Sequence, residues 1–203
     1  MNEMLAAAAQ KAYETLLDAG IEELPVSVEK LISALPQVSL LTFGQAAALL
    51  EISPEALAWD FPSQEAFTLS EIREGRTRHL ICYQEKTTPS RRRFALAHEL
   101  GHVLLGHARE GSIEDAQVNC FAEHLLCPRP FLRQIIGARS KCAEDLLMRV
   151  TGLSSPMLKR IMASPAPEVI DDDIQRRLSA QLKYLPMIPE SEHRSFILIH
   201  PCF

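Results

Sequence analysis

The stretch that decides the fold of this chain is RRRFALAHELGHVLLGH, residues 91–107. Apolar residues surround its H-E-x-x-H pattern on nearly every side, so the stretch is predicted to be a buried helix. Residues four apart share one face of a helix, and His98 and His102 can therefore offer imidazole nitrogens to one metal ion. Glu99 lies about 100° further round the helix. From there it can reach a metal-bound water without ligating the metal.

This arrangement is typical of a catalytic zinc site, in which two histidines hold Zn²⁺ and the glutamate is the general base. The alternative is a pair of core histidines with a glutamate that reaches solvent. Three polar groups buried in one apolar helix without partners would be costly, which favours the metal site. Ser90 is predicted to cap the start of the helix and Gly106 to end it.

Composition narrows the class of protein. The chain has 203 residues, of which 47% are hydrophobic, and this suits one domain with an appendage or two small domains. A net charge of −5 predicts no general attraction to nucleic acid or anionic membrane. The sequence carries no signal-peptide pattern and no apolar run of about 18 residues, so no membrane partner is expected. Five cysteines without a C-x-x-C pair favour a reduced, cytoplasmic location.

The patterns around the motif predict an α+β fold. We expect a small mixed sheet packed on the buried H-E-x-x-H helix and on a second, ligand-bearing helix, with a C-terminal helical extension. The predicted helices cover residues 1–19, 26–35, 45–50, 54–59, 112–126, 142–150, 155–163 and 171–184. The predicted strands cover residues 38–43, 66–72, 79–83 and 196–199. Strand 79–83 is expected to form the sheet edge beside the metal, where an extended peptide could bind.

Two motifs together resemble the ImmA/IrrE family of zinc metallopeptidases. The first is residues 93–102, RFALAHELGH, against the family's R-F-T-L-A-H-E-L-G-H. The second is residues 119–128, NCFAEHLLCP, against the end of the family's E-x-E-A-N-x-F-A-x-x-L-L-M-P. The resemblance covers about residues 1–162. It implies a minimal gluzincin-like domain with Zn²⁺, and a regulatory role, since members cleave transcriptional repressors of mobile elements or of stress responses.

The third metal ligand is where this chain departs from the family, because Asp115-Ala116-Gln117-Val118-Asn119 replaces Glu-x-Glu-Ala-Asn. Asp115 aligns with the family's first glutamate and is predicted to be the ligand. Asn119, four residues later on the same helix face, is predicted to support the first histidine. Since aspartate is one methylene shorter than glutamate, ligation requires the two helices to lie closer than usual.

Other assignments of this helix stay open at this point. Ser112-x-x-Asp115 also fits a capping box, in which Asp115 would bond to the backbone instead of the metal. Three further side chains of zinc-binding type lie on the same predicted helix: Glu114, Glu123 and His124. A metzincin pattern would place its third histidine at Ala108, so the adjacent His107 is predicted to be a loop residue.

The C-terminal third has a different character. Residues 152–154, Gly-Leu-Ser, resemble the turn of a helix-turn-helix, and Lys159 and Arg160 could contact phosphates. Residues 139–162 hold five basic and two acidic residues. This excess is small, so a helical hairpin packed on the catalytic part is favoured over a DNA-binding unit. The predicted units are a metallopeptidase domain at 1–135, the hairpin at 136–164 and a C-terminal helix and tail at 165–203.

The sequence therefore predicts a cytoplasmic, zinc-dependent endopeptidase that cleaves a regulatory protein such as a transcriptional repressor. His98, His102 and Asp115 would hold Zn²⁺, and Glu99 would be the catalytic base. Two alternatives belong to other classes. One is a catalytically silent family member that binds a protein partner. The other is a DNA-binding regulator that acts through the turn at Gly152, with a structural metal.

Overall fold

The structure is a computed structural model that describes residues 2–53, 55, 57, 65–109, 111–129, 143–164 and 171–182. Within these ranges the helices are α1 (Asn2–Asp18), α2 (Val28–Ser33), α3 (Phe43–Leu50), α4 (Pro89–Leu105), α5 (Ser112–Leu126), α6 (Ala143–Thr151), α7 (Ser155–Ala163) and α8 (Asp172–Gln181). The strands are β1 (Val38–Thr42), β2 (Ala66–Arg73) and β3 (Arg76–Tyr83). The predicted α+β class, with a small mixed sheet and C-terminal helices, is confirmed.

Strand β3 lies in the middle of the sheet. It pairs in parallel with β1 and antiparallel with β2, which gives the order β1-β3-β2. Ile81 and Cys82, adjacent residues that face opposite sides of the sheet, are both fully buried. The prediction that strand 79–83 forms the sheet edge is therefore wrong, because both of its sides carry a partner strand. The two edge strands are β1 and β2, and β2 is the one that is joined to β3 by a hairpin.

The two faces of the sheet pack against different helices. Ile81 belongs to the main core, together with Leu96 and Leu100 of α4. Phe67 and Cys82 point to the other face and form a second, smaller core with Phe43 and its neighbours in α3. This alternation follows from the period of two along a strand. It places α4 directly beneath one face of the sheet.

Helix α1 forms the other wall of the main core. Its contacts are chiefly with α5, and it also touches α8 and α4. Tyr13 of α1 and Phe121 of α5 are both fully buried. Buried residues of α6, α7 and α8 belong to the same core, among them Leu147, Ile161 and Leu178. The C-terminal helices thus pack on the apolar core that also holds α4.

Helix α4 begins two residues earlier than predicted. Thr88 is its N-cap residue and Pro89 occupies the first helical position, where the fixed φ of proline suits the helix. The assignment of Ser90 as the cap is wrong, since Ser90 lies inside the first turn. Its hydroxyl instead accepts a hydrogen bond from the backbone N–H of Ser154 at 2.7 Å. Gly106 ends the helix as predicted, with a left-handed φ of 71°.

Some predictions fall outside the described residues. These are the helix at 54–59 beyond its positions 55 and 57, the strand at 196–199 and the end of the last helix at 184. In the part of the chain that is described, no helix has both the length and the apolar character needed to cross a membrane. Cys82, Cys120 and Cys127 are buried free thiols.

Candidate metal centre

His98 and His102 lie on one face of α4 with their rings close together. Their Nε2 atoms are 3.2 Å apart. In a tetrahedral zinc site with Zn–N bonds of about 2.0–2.1 Å, two ligand nitrogens are roughly 3.3 Å apart. The pair therefore has the spacing that one zinc ion requires. Both side chains are half-buried, so an ion between them would still be reached from solvent.

Asp115 completes a group of three. Its carboxylate and the ring nitrogens of His98 and His102 lie within 4.8 Å of one another. Two imidazoles and a carboxylate form a donor set that zinc accepts in catalytic sites, where a fourth position is left for water or substrate. Asp115 is exposed, which leaves the open side of the group toward solvent. The residues present thus fit a zinc ion in both chemistry and spacing.

A glycine lets α5 come close enough for this grouping. A Cβ atom added at Gly101 would lie 3.0 Å from Cδ1 of Phe121 and 3.2 Å from Cβ of Val118. Real side-chain carbons rarely approach so closely. Because Gly101 has no Cβ, the backbone of α4 can lie directly against the side chains of Val118 and Phe121 on α5. This close packing is what the shorter aspartate needs in order to reach the two histidines.

The other candidates on α5 are placed elsewhere. Glu123 is buried beside Arg129, with 3.9 Å between carboxylate and guanidinium. His124 is also buried, and its Nδ1–H donates to the carbonyl of Cys120 at 2.8 Å. Glu114 folds back over Gly111, where an added Cβ would lie 2.5 Å from its carboxylate. None of these three belongs to the group that His98, His102 and Asp115 form among the described residues.

The capping-box alternative for Asp115 is wrong. Helix α5 begins after Gly111, whose extended backbone provides the N-cap without any side-chain hydrogen bond. The backbone N–H of Asp115 is bonded to the carbonyl of Gly111 at 2.8 Å, as in a regular first turn. The carboxylate of Asp115 does not cap the helix, and it lies within 4.8 Å of the ring nitrogens of His98 and His102.

Asn119 contacts the first histidine, as the spacing predicted. Its side-chain oxygen lies 3.1 Å from Nδ1 of His98. An amide oxygen only accepts, so the ring donates Nδ1–H, and the lone pair is then on Nε2. That is the nitrogen that faces His102.

His107 lies in the loop after α4, as predicted, and it also contacts the second histidine. Its Nδ1 is 3.3 Å from Nδ1 of His102, and the two rings meet edge to face with centroids 5.2 Å apart. The missed signal is geometric. Gly106 turns the chain back at the end of α4, so that the next residue returns over the last turn of the helix.

Electrostatics keep His102 neutral. Burial, followed by the neighbouring His98 and His107, lowers its pKa to about 4, although Asp115 and Glu114 act in the opposite direction. A histidine must be neutral to bind a metal. At neutral pH this side chain is therefore in the form that a metal ligand needs.

Glu99 lies next to the group but is not part of it. Only 7% of the residue is exposed, and its Oε2 accepts a hydrogen bond of 2.7 Å from the hydroxyl of Thr68 in β2. Nothing in the sequence pointed to Thr68, because it lies 31 residues before Glu99 and carries no motif.

The arginines before the motif tie α4 to its surroundings. Arg91 pairs with Glu65, with 2.7 Å between Nε and the carboxylate oxygen. Arg93 turns inward instead. Its guanidinium donates to the carbonyl of Val26 at 2.6 Å and lies against Gly152, the turn residue between α6 and α7.

The two cations considered for DNA contact are engaged within the chain. The amino group of Lys159 lies 3.2 Å from the carboxylate of Glu144, and the guanidinium of Arg160 lies 4.8 Å from the ring centre of Phe94. With Leu158 and Ile161 buried in the main core, α7 has the arrangement of the packed hairpin. DNA binding stays the less favoured prediction.

Residues 61–161 match the Peptidase_M78 family model, which is described as the IrrE N-terminal-like domain. The matched segment contains α4, α5 and all three members of the histidine–aspartate group. No curated protein matches the chain.

Proposed function

Since the chain belongs to the ImmA/IrrE peptidase family, whose IrrE N-terminal-like domain it carries at residues 61–161, we propose that it is a zinc-dependent endopeptidase. The observation that carries this proposal is the grouping of His98, His102 and Asp115, with their ligand atoms within 4.8 Å. The buried carboxylate of Glu99 follows directly after the first of them. Family membership alone supports a peptidase, and the grouping supports a metal-dependent one.

His98 and His102 would hold the ion through their Nε2 atoms, and Asp115 through a carboxylate oxygen. Asn119 keeps the proton of His98 on Nδ1, so that its Nε2 lone pair stays available. His107 is placed to keep the proton of His102 on Nδ1 in the same way. Zinc bound there would polarise the scissile carbonyl and lower the pKa of a coordinated water.

Glu99 would act as the general base. Its carboxylate would take a proton from the attacking water and deliver it to the nitrogen of the leaving amine. The carboxylate is hydrogen-bonded to Thr68 of β2 and the residue is buried, which keeps bulk water from competing for it. The open side of the site, beside the exposed Asp115, is where a peptide would enter.

The proposed substrate is a regulatory protein such as a transcriptional repressor. This part of the proposal is supported by the family resemblance of residues 93–102 and 119–128. Extended peptides bind exposed sheet edges through main-chain hydrogen bonds. Strand β2, which holds Thr68 against Glu99, would offer such an edge next to the general base.

The test compares the wild type with Glu99→Gln and with His98→Ala and His102→Ala. We expect about one zinc per chain in the wild type and in Glu99→Gln, and a loss of zinc in both histidine variants. Cleavage of a random-sequence, quenched-fluorescence peptide library should fall by about 10²–10⁴-fold in Glu99→Gln. Unchanged zinc in both histidine variants would contradict the site, and full activity of Glu99→Gln would contradict the mechanism.

A second candidate is a catalytically silent member that binds a protein partner. Gln117, a neutral residue where the family has its second glutamate, favours it. This candidate predicts a wild type that holds zinc but cleaves neither the library nor a repressor protein. Cleavage that is removed by Glu99→Gln would exclude it.

A further inference from the structure

We propose that Thr68 is a positioning residue for Glu99, and that its hydroxyl holds the carboxylate in the orientation needed for proton transfer. The inference rests on the proposed function, because it assigns a task to a residue outside both sequence motifs. The side chain of Thr68 would touch neither the metal nor the substrate. It would act only through the carboxylate of Glu99.

The strand geometry aims Thr68 at α4. Thr68 pairs with Ile81 across the β2–β3 ladder, and Ile81 belongs to the core that includes α4. Phe67, the residue before it, points to the opposite face and packs with Phe43. Thr68 is thus a hydroxyl on the sheet face that covers the metal helix.

The hydrogen bond has the length expected for a charged acceptor. Its oxygen–oxygen distance is 2.7 Å, and bonds from a hydroxyl to a carboxylate measure about 2.5–2.7 Å. An ionised carboxylate can only accept, so Thr68 must be the donor. The bond therefore suits the ionised form of Glu99, which is the form a general base needs before the reaction.

The bond also restricts a flexible side chain. Glutamate has three side-chain torsions, so its carboxylate can take many orientations relative to the helix. A hydroxyl from the neighbouring strand fixes Oε2, and with it the plane of the carboxylate. Since a misplacement of about 1 Å can cost roughly 10²-fold in rate, loss of this anchor should reduce turnover more than substrate binding.

The experiment uses the zinc-loaded full chain and three variants. Thr68→Val removes the hydroxyl and keeps the shape and the branched Cβ, whereas Thr68→Ser keeps the hydroxyl. Ser70→Ala is the matched control, because Ser70 is on the same face of β2 but bonds to His79 at 2.9 Å. The substrate is the library peptide that the wild type cleaves fastest.

We expect kcat to fall by about 10–100-fold in Thr68→Val, with KM and zinc content unchanged. Thr68→Ser should recover most of kcat, and Ser70→Ala should match the wild type. A Thr68→Val enzyme with wild-type kcat would overturn the inference while the proposed function stands. A wild type that holds zinc but cleaves no peptide would overturn the proposed function, and the positioning role with it.

A second measurement reports on the contact itself. Thr68→Val should lower the urea midpoint of the wild-type chain but leave the midpoint of Glu99→Ala unchanged, because the bond is already absent there. Equal shifts in both backgrounds would mean that Thr68 acts only on the packing of β2. That result would overturn the inference even if kcat falls.

Discussion

The Nδ1 atom of His98 lies 3.1 Å from the side-chain oxygen of Asn119, and this contact joins the middle of α4 to the middle of α5. It fixes both the ring orientation and the tautomer of His98. Because Nδ1 carries the proton, the lone pair that a metal would use is on Nε2. One amide thus prepares a candidate ligand on the neighbouring helix.

The first prediction follows from this contact. Asn119→Ala should weaken zinc binding by about 10–100-fold, since residues that orient metal-bound histidines typically have effects of this size. Competition with a chromophoric chelator measures the affinity. Gln117→Ala, two residues away on the same helix, is the control and should bind zinc as the wild type does. Equal affinities of Asn119→Ala and the control would contradict the role of Asn119.

The second prediction concerns the third ligand. Asp115→Ala should lose zinc to a chelator much more readily than Glu114→Ala, because only Asp115 groups with His98 and His102 within 4.8 Å. The rate of zinc transfer to the chelator is the measurement. A faster loss from Glu114→Ala, or equal slow loss from both, would show that the carboxylate has been assigned to the wrong residue.

The third prediction tests how α4 is joined to the hairpin of α6 and α7. Gly152 has a φ of +68°, and an added Cβ would lie 2.8 Å from Nε of Arg93. Gly20 has a φ of +60° but open space around it. Gly20→Ala should therefore cost only the left-handed strain, about 1–2 kcal/mol. Gly152→Ala should cost about 1–3 kcal/mol more, because Arg93 must move.

Thermal unfolding of both glycine variants would measure this difference. Equal melting temperatures would mean that Arg93 can move away from residue 152 without any loss of stability. The carbonyl of Val26 would then not hold the guanidinium in place.

The fourth prediction concerns the pH dependence of stability. Burial above all lowers the pKa of His124 to about 4; the hydrogen bond to Cys120 opposes this shift, and the charge of Arg129 reinforces it. In the unfolded chain the pKa is near 6.5. Between these values the unfolded chain binds more protons than the folded one, so the free energy of unfolding falls as the pH drops from about 6.5 to 4.

His124 should contribute about 3 kcal/mol to this loss. Urea unfolding of the metal-free chain at several pH values measures it, and His124→Gln is the comparison. The variant should show a shallower dependence, with the remainder due in part to His102, whose pKa burial also lowers to about 4. Parallel curves for the two proteins would contradict the shift of His124.

Local patterns were enough to predict the elements that carry the site. The bounds of α5 and α7 agree with the predicted residues 112–126 and 155–163, because helical periodicity and the flanking glycine and proline residues are local signals. The α+β class followed from the same signals. The position of β3 did not, since which strand lies in the middle depends on pairing between segments far apart in the chain.

The contacts around the candidate ligands also divide into those set by the spacing within one helix, which can be predicted, and those between distant segments, which cannot. Asn119 could be predicted because its spacing from Asp115 is a property of one helix. Thr68 could not, because its bond to Glu99 joins a strand to a helix across 31 residues. The loop position of His107 could be predicted, but its contact with His102 could not, because a sequence register does not show that the turn at Gly106 brings the following ring back.

The start of α5, where Gly111 is the N-cap and no side chain caps the helix, has a consequence for the loop before it. His102 lies near the end of α4 and Asp115 in the first turns of α5, so an ion held by both would link two points 13 residues apart. Such an ion would hold the two ends of the connecting loop together in the folded chain and would oppose local opening at the start of α5. Amide hydrogens at residues 112–115 should then exchange more slowly with zinc than without it. Zinc would therefore stabilise the start of this helix in addition to its part in catalysis.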